Sequence, residues 1–166
     1  MAPQLDEPIE IVSYRPIWPQ LFIEEAALLR SALRDLAQAI EHIGSTAVPG
    51  MAAKPVVDIQ IASEDPDKAA LGIRGLGYED LGEAGVPGRR YLRKRSAQSF
   101  NAHVVEPGGP LCRDNLLLRD YLRSHPAEAQ AYAAHKRALF EKGATCLLEY
   151  SSGKSTFIAG LLERAR

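Results

Sequence analysis

Three groups of residues in this chain have the type and spacing to do chemistry. The first is a turn, Gly44-Ser45-Thr46. Glycine lets a ligand approach the backbone, the amides of such a turn form a nest for an anion, and the Ser45 or Thr46 hydroxyl adds a donor. The second group centres on Asp58, flanked by Val57 and Ile59. A carboxylate in an apolar strand is costly to bury unless it is paired or holds a metal. Asp58 therefore either pairs with Lys54 or an arginine, or serves as a ligand. His42 and His103 offer imidazoles for metal binding or proton transfer, with a hydrogen-bonded structural role as the alternative. The third group is cationic. Lys136 lies four residues from both Tyr132 and Phe140, and Lys154 four from both Tyr150 and Ile158. Each ammonium thus shares a helix face with apolar residues, where it either snorkels to water or meets an anionic ligand. Arg89, Arg90, Arg93, Lys94 and Arg95 add five cations in seven residues. Strand alternation puts Arg90 and Lys94 on the face of Leu92, expected toward the sheet interior or a cleft, which makes them the phosphate candidates of that run. A solvated edge strand is the other reading.

These groups need elements to hold them. Trp18, Leu21, Phe22, Ala26, Leu29, Leu33 and Leu36 recur at helical spacing, predicting an amphipathic helix of about five turns opened by Trp18-Pro19. Residues 39–43 and 55–61 read as strands, separated by the glycine turn and by Val48-Pro49-Gly50. A helix around 67–75 exits at Gly77-Tyr78. Residues 90–94 and 100–105 form a predicted hairpin, with Ser96, Ala97 and Gln98 as its turn. Helices follow at 113–124, at 126–142 and from 149 onward, punctuated by Ser124-His125-Pro126 and Gly143. This order is not a βαβ alternation. It predicts one α+β domain over residues 1–166, a small mixed sheet flanked by helices with a helical C-terminal segment. Gly153-Lys154-Ser155-Thr156 resembles the tail of a phosphate-binding Walker loop, but Leu148 stands where the motif needs its first glycine, and the surrounding spacing is helical.

Composition narrows the classes. The 166 residues are 46% hydrophobic and 25% charged, with a formal net charge of −1. That balance argues against a general nucleic-acid binder. No apolar run is long enough to span a bilayer. Cys112 and Cys146 form no CxxC pair, so neither a zinc site nor a disulfide framework is indicated. The acidic first eight residues lack the apolar stretch of a secretion signal, and the expected location is cytoplasmic.

The block Glu41-His42-Ile43-Gly44-Ser45-Thr46-Ala47-Val48-Pro49-Gly50, followed by Ala52-Ala53-Lys54-Pro55-Val56-Val57-Asp58-Ile59, resembles the GrpB family of small nucleotidyltransferase-like proteins. Tyr14-Arg15-Pro16 with Trp18-Pro19, the basic segment 88–94, Arg119-Asp120-Tyr121-Leu122-Arg123 with His125-Pro126, and Tyr150, Lys154, Phe157 and Ile158 extend the resemblance over nearly the whole chain. The resemblance implies a nucleotidyltransferase-like fold. In it the Gly44–Thr46 turn holds nucleotide phosphate, Asp58 holds a divalent metal (Mg²⁺ or Mn²⁺), and Arg90, Lys94, Lys136 and Lys154 meet the remaining charge. It implies a nucleotide or phosphate ester as the small-molecule partner. Similar domains fused to dephospho-CoA kinase imply an accessory role in coenzyme A metabolism as an alternative. The fold's second carboxylate, two residues after the first, is here Gln60, and its later strand offers Asn101 and His103. The set implied is therefore either a single ion held by His42, Asp58 and His103, with Asp58 and His103 as catalytic groups in transfer or hydrolysis, or a binding site without catalysis.

Overall fold

A computed structural model describes residues 4–166. Four of its five helices begin with proline in the first turn, where the missing N–H costs nothing. They are α1 (Trp18–Leu33), α2 (Pro66–Ile73), α3 (Pro110–Ser124) and α4 (Pro126–Glu141), and α5 is Leu147–Ala165. Asp65 also caps α2, its carboxylate accepting from the Lys68 amide at 3.1 Å. No helix among the described residues is long and apolar enough to cross a membrane.

The strands are β1 (Ala39–Ile43), β2 (Val56–Ala62), β3 (Glu79–Asp80), β4 (Arg90–Lys94) and β5 (Ser99–Val105). They form one mixed sheet in the order β1-β2-β5-β4-β3. The central pair, β2 with β5, is parallel, and the other pairs are antiparallel. The predicted elements are all present, most of their ends lying within one to three residues of those expected. The exception is β3, for which the sequence carries no expectation. Two residues are too few to show alternation, and β3 exists only through its pairing of Glu79 with Arg93 and of Asp80 with Leu92.

Helices cover both faces of the sheet. On one face α1 and α2 pack on Ile40, Val57, Ile59, Ile61, Leu92, Phe100, Ala102 and Val104, with Trp18, Leu29 and Ile73 fully buried between the layers. Burial of each large apolar side chain contributes about 1.5–3 kcal/mol. The alternate residues of the same strands, among them Asp58, Gln60, Tyr91, Asn101 and His103, face α3, α4 and α5. Gln60 ties α3 to this second face. Its amide donates to the Cys112 sulfur at 3.2 Å and its oxygen accepts from Asn115 at 2.8 Å.

Candidate functional site

Between the second sheet face and the C-terminal helices lies a cavity of about 380 Å³, within the size range of small-molecule sites. Its floor is the junction of β1 and β2. Ile43 pairs with Asp58 across the two strands, and Gly44 follows at φ +74°, a left-handed conformation suited to glycine. A Cβ on Gly44 would stand 2.8 Å from Asp58 Oδ2, so the glycine also makes room for the carboxylate. The turn is held from α3. Arg119 donates to the His42 carbonyl at 3.1 Å and to Glu41 at 2.7 Å, and Arg123 donates to the Ala47 carbonyl at 2.8 Å.

Asp58 accepts two hydrogen bonds at one oxygen, from Asn101 Nδ2 at 3.0 Å and from His103 Nε2 at 2.9 Å. Burial alone would raise its pKa. The His103 hydrogen bond and charge, with Lys54 and Asn101, outweigh burial and hold the carboxyl well below its usual range. The other ring nitrogen of His103 faces the Arg89 guanidinium at 3.5 Å, and that guanidinium lies 4.8 Å from the Tyr91 ring centre.

The opposite wall is cationic. Lys136 is 1% exposed, and its ammonium donates to Ser45 Oγ at 2.7 Å and to the Ala52 carbonyl at 2.8 Å, 4.7 Å from the centre of the Tyr132 ring. Lys154 Nζ lies 4.6 Å from the Tyr150 ring centre, and Lys54 approaches the same ring at 5.7 Å. Burial, reinforced by the neighbouring cations and opposed by Asp58, pushes Lys136 down to about 6 and Lys154 to about 7. At the rim, the N-terminal segment is strapped down. Arg93 donates to the carbonyls of Gln4 and Leu5, Arg95 binds Glu7 at 2.6 Å, and the Leu147 amide donates to the Glu7 carbonyl at 2.8 Å.

Gly44, Ser45, Thr46, Asp58, His103, Lys136 and Lys154, all singled out in the sequence, line this one cavity. Thr46 is buried and its hydroxyl bonds to His42, so the turn's cavity-facing hydroxyl is that of Ser45, which accepts from Lys136. Three expected positions lie elsewhere. His42 is one residue out of phase with Ile43 and so points to the α1 face. There it is 5% exposed, bonded to Thr46 at 2.8 Å and stacked on Phe22 at 5.0 Å. The trio His42, Asp58 and His103 is therefore split across the sheet. Arg90 and Lys94 do share the face of Leu92, but that face is covered by α1 and α2. Arg90 pairs with Asp80 and Asp67, and Lys94 binds Glu25 at 2.9 Å beside the Tyr78 hydroxyl. The cavity receives the alternate residues instead, Arg89 and Tyr91. Lys54 also lines it, where the sequence offered that lysine only as a partner for Asp58. Its spacing of four residues from Asp58 was the available signal.

The donors near Asp58 do not make a two-ion centre. Gln60 is turned into its contacts with α3, and among the described residues no group of three or more His, Cys, Asp or Glu could hold a metal. Asp58 is the one carboxylate in the cavity lining that could serve a divalent ion.

Comparison with known proteins adds three findings. Residues 8–164 match the model of the family described as GrpB protein. UPF0157 protein PA4798 of Pseudomonas aeruginosa is 37% identical over 96% of this chain and 69% of its own length; UPF0157 protein YqkA of Bacillus subtilis is 35% identical over 95% of this chain, which spans only 47% of that protein. The crystal structure of GrpB from Enterococcus faecalis superposes with a TM-score of 0.84 at 34% identity, covering 94% of this chain and 96% of the other.

Proposed function

The chain belongs to the GrpB family, and from that premise we propose that it binds a nucleotide or a comparable phosphate ester in the cavity between its sheet and its C-terminal helices. One observation carries the reading. The lining contains five basic side chains, Lys54, Arg89, Arg119, Lys136 and Lys154, against a single carboxylate, Asp58. Ammonium and guanidinium groups around a nest-forming turn suit a ligand with several negative charges. The three tyrosines of the lining, Tyr91, Tyr132 and Tyr150, offer flat apolar surface to the remainder of such a ligand. The phosphate lies, in this reading, between the Ser45 turn and the lysines, with Asp58 contributing to any Mg²⁺ or Mn²⁺ that the phosphate brings.

Nucleotidyl transfer from a nucleoside triphosphate to a hydroxyl acceptor, with pyrophosphate as the leaving group, is the second reading. The hydrogen bond between Asp58 and His103 favours it, because a carboxylate-held imidazole can take a proton from an attacking hydroxyl. The single available carboxylate weighs toward binding as the primary role.

Thermal melting against a panel of nucleotides, with and without Mg²⁺ or Mn²⁺, tests the proposal. A ligand that binds only the folded chain stabilises it by about 2.7 kcal/mol at a hundredfold excess over Kd. The Asp58→Asn variant is expected to lose the metal-dependent part of the rise. A melting temperature unmoved by the whole panel would remove the reading.

A further inference from the structure

Lys54, Lys136 and Lys154 reach the cavity from three separate elements: the loop before β2, α4 and α5. Among the described residues none of the three forms an ion pair. Asp58 is already engaged by His103 and Asn101. The partners of Lys136 are neutral oxygens and a tyrosine ring, and Lys154 rests on another ring. Burying unpaired charges of one sign is costly, and in a low dielectric they repel one another strongly. An amine so placed lowers that cost by giving up its proton, and regains it when an anion stands beside it.

We infer that an anionic phosphate ligand enters this cavity together with protons taken from solvent, so that the site selects multiply charged ligands and binds them more weakly as the solution becomes alkaline. The inference rests on the reading of the cavity as a phosphate site. Its sign follows from linkage. Free Lys136 and Lys154 titrate at about 6 and 7, lowered chiefly by burial. A bound anion raises both values, the complex then holds more protons than the free protein, and affinity falls as pH rises above 7. Burial raises Tyr132 and Tyr150, which stay neutral across this range. Asp58 is held low and stays ionised. Burial pushes Glu7, at the rim, upward, but its bond to Arg95 prevails and it too stays ionised. Arg89, just before β4, and Arg119, from α3, remain charged, and Arg137 of α4 acts on Lys136 as a further nearby positive charge. His103, from β5, is the imidazole that needs a control.

The test is titration calorimetry with ATP, without divalent metal, between about pH 7.5 and 9, in two buffers of different ionisation enthalpy. A phosphate's second pKa is about 6, so ATP is already ionised there and the proton count reports on the protein. Uptake of about one to two protons is expected, with affinity falling at least about tenfold across the range. Lys136→Met and Lys154→Met should each remove about one proton from the count, while His103→Gln leaves the count unchanged whatever it does to affinity. Binding without proton uptake and at constant affinity would overturn the inference and leave the phosphate site standing. Uptake that persists in both methionine variants would overturn it as well. No binding of ATP or of tripolyphosphate would sink both readings.

Discussion

At the scale of single residues, Gly44 and Asp58 are fitted to each other. Alanine at position 44 would have to adopt φ +74° and place its Cβ 2.8 Å from a carboxylate oxygen. Gly44→Ala is therefore expected to cost about 1–3 kcal/mol in urea unfolding; an unchanged midpoint would mean that the turn relaxes freely. Lys94 permits a contrasting test. It neutralises Glu25, which is 5% exposed and also accepts from Tyr78. Lys94→Met should cost about 3–5 kcal/mol of stability by stranding a buried charge, yet leave nucleotide affinity untouched. A loss of affinity with stability intact would return Lys94 to the ligand. The residues legible in the sequence were those whose chemistry conflicted with their surroundings: a carboxylate among Val57 and Ile59, a glycine ending a strand, lysines on aromatic helix faces. Arg89 and Lys54 gave no such conflict, because cations beside a loop are ordinary on any surface.

At the scale of elements, the alternation of β4 puts Arg90 and Lys94 on the interior face with Leu92, as expected, but that interior is the α1–α2 layer and the cavity lies on the other side. Period two divides Arg89 and Tyr91 from Arg90 and Lys94, but in a sheet with helices on both faces neither half is marked as the solvent side. His42 is set apart from the cavity in the same way, one step along β1 from Ile43. Its place on the α1 face has a thermodynamic signature. Burial first, then the charges of Arg123 and Arg119, push its pKa down to about 4 against the opposing pull of Asp58. The folded chain then binds fewer protons than the unfolded chain between about pH 6.5 and 4, so stability is lost as pH falls through that window. The loss is on the order of 2–3 kcal/mol. It should be visible in denaturant titrations at stepped pH and absent in His42→Gln. An equal loss in the variant would assign it to other groups.

At the scale of the whole molecule, the cavity is a seam between parts that are distant in sequence. Its floor comes from the first half of the sheet and its cationic wall from α4 and α5, and Lys136 bonds Ser45 across ninety-one positions. Local patterns therefore gave the elements, while the side of the sheet on which they close was set by packing. The parallel pairing of β2 with β5 has a further, kinetic consequence. The bonds from Asn101 and His103 to Asp58 span 43 and 45 residues and depend on that pairing. Such long-range contacts are slow to form, since the intervening chain must be ordered before they are made. A ligand that needs the finished seam has nothing to hold in a partly assembled chain. In stopped-flow experiments, saturating nucleotide should slow unfolding by nearly the whole binding stabilisation and leave the refolding rate unchanged. Faster refolding with ligand would mean that the seam is already closed in the transition state. On this account the bound molecule acts as a lock on a completed structure and takes no part in building it.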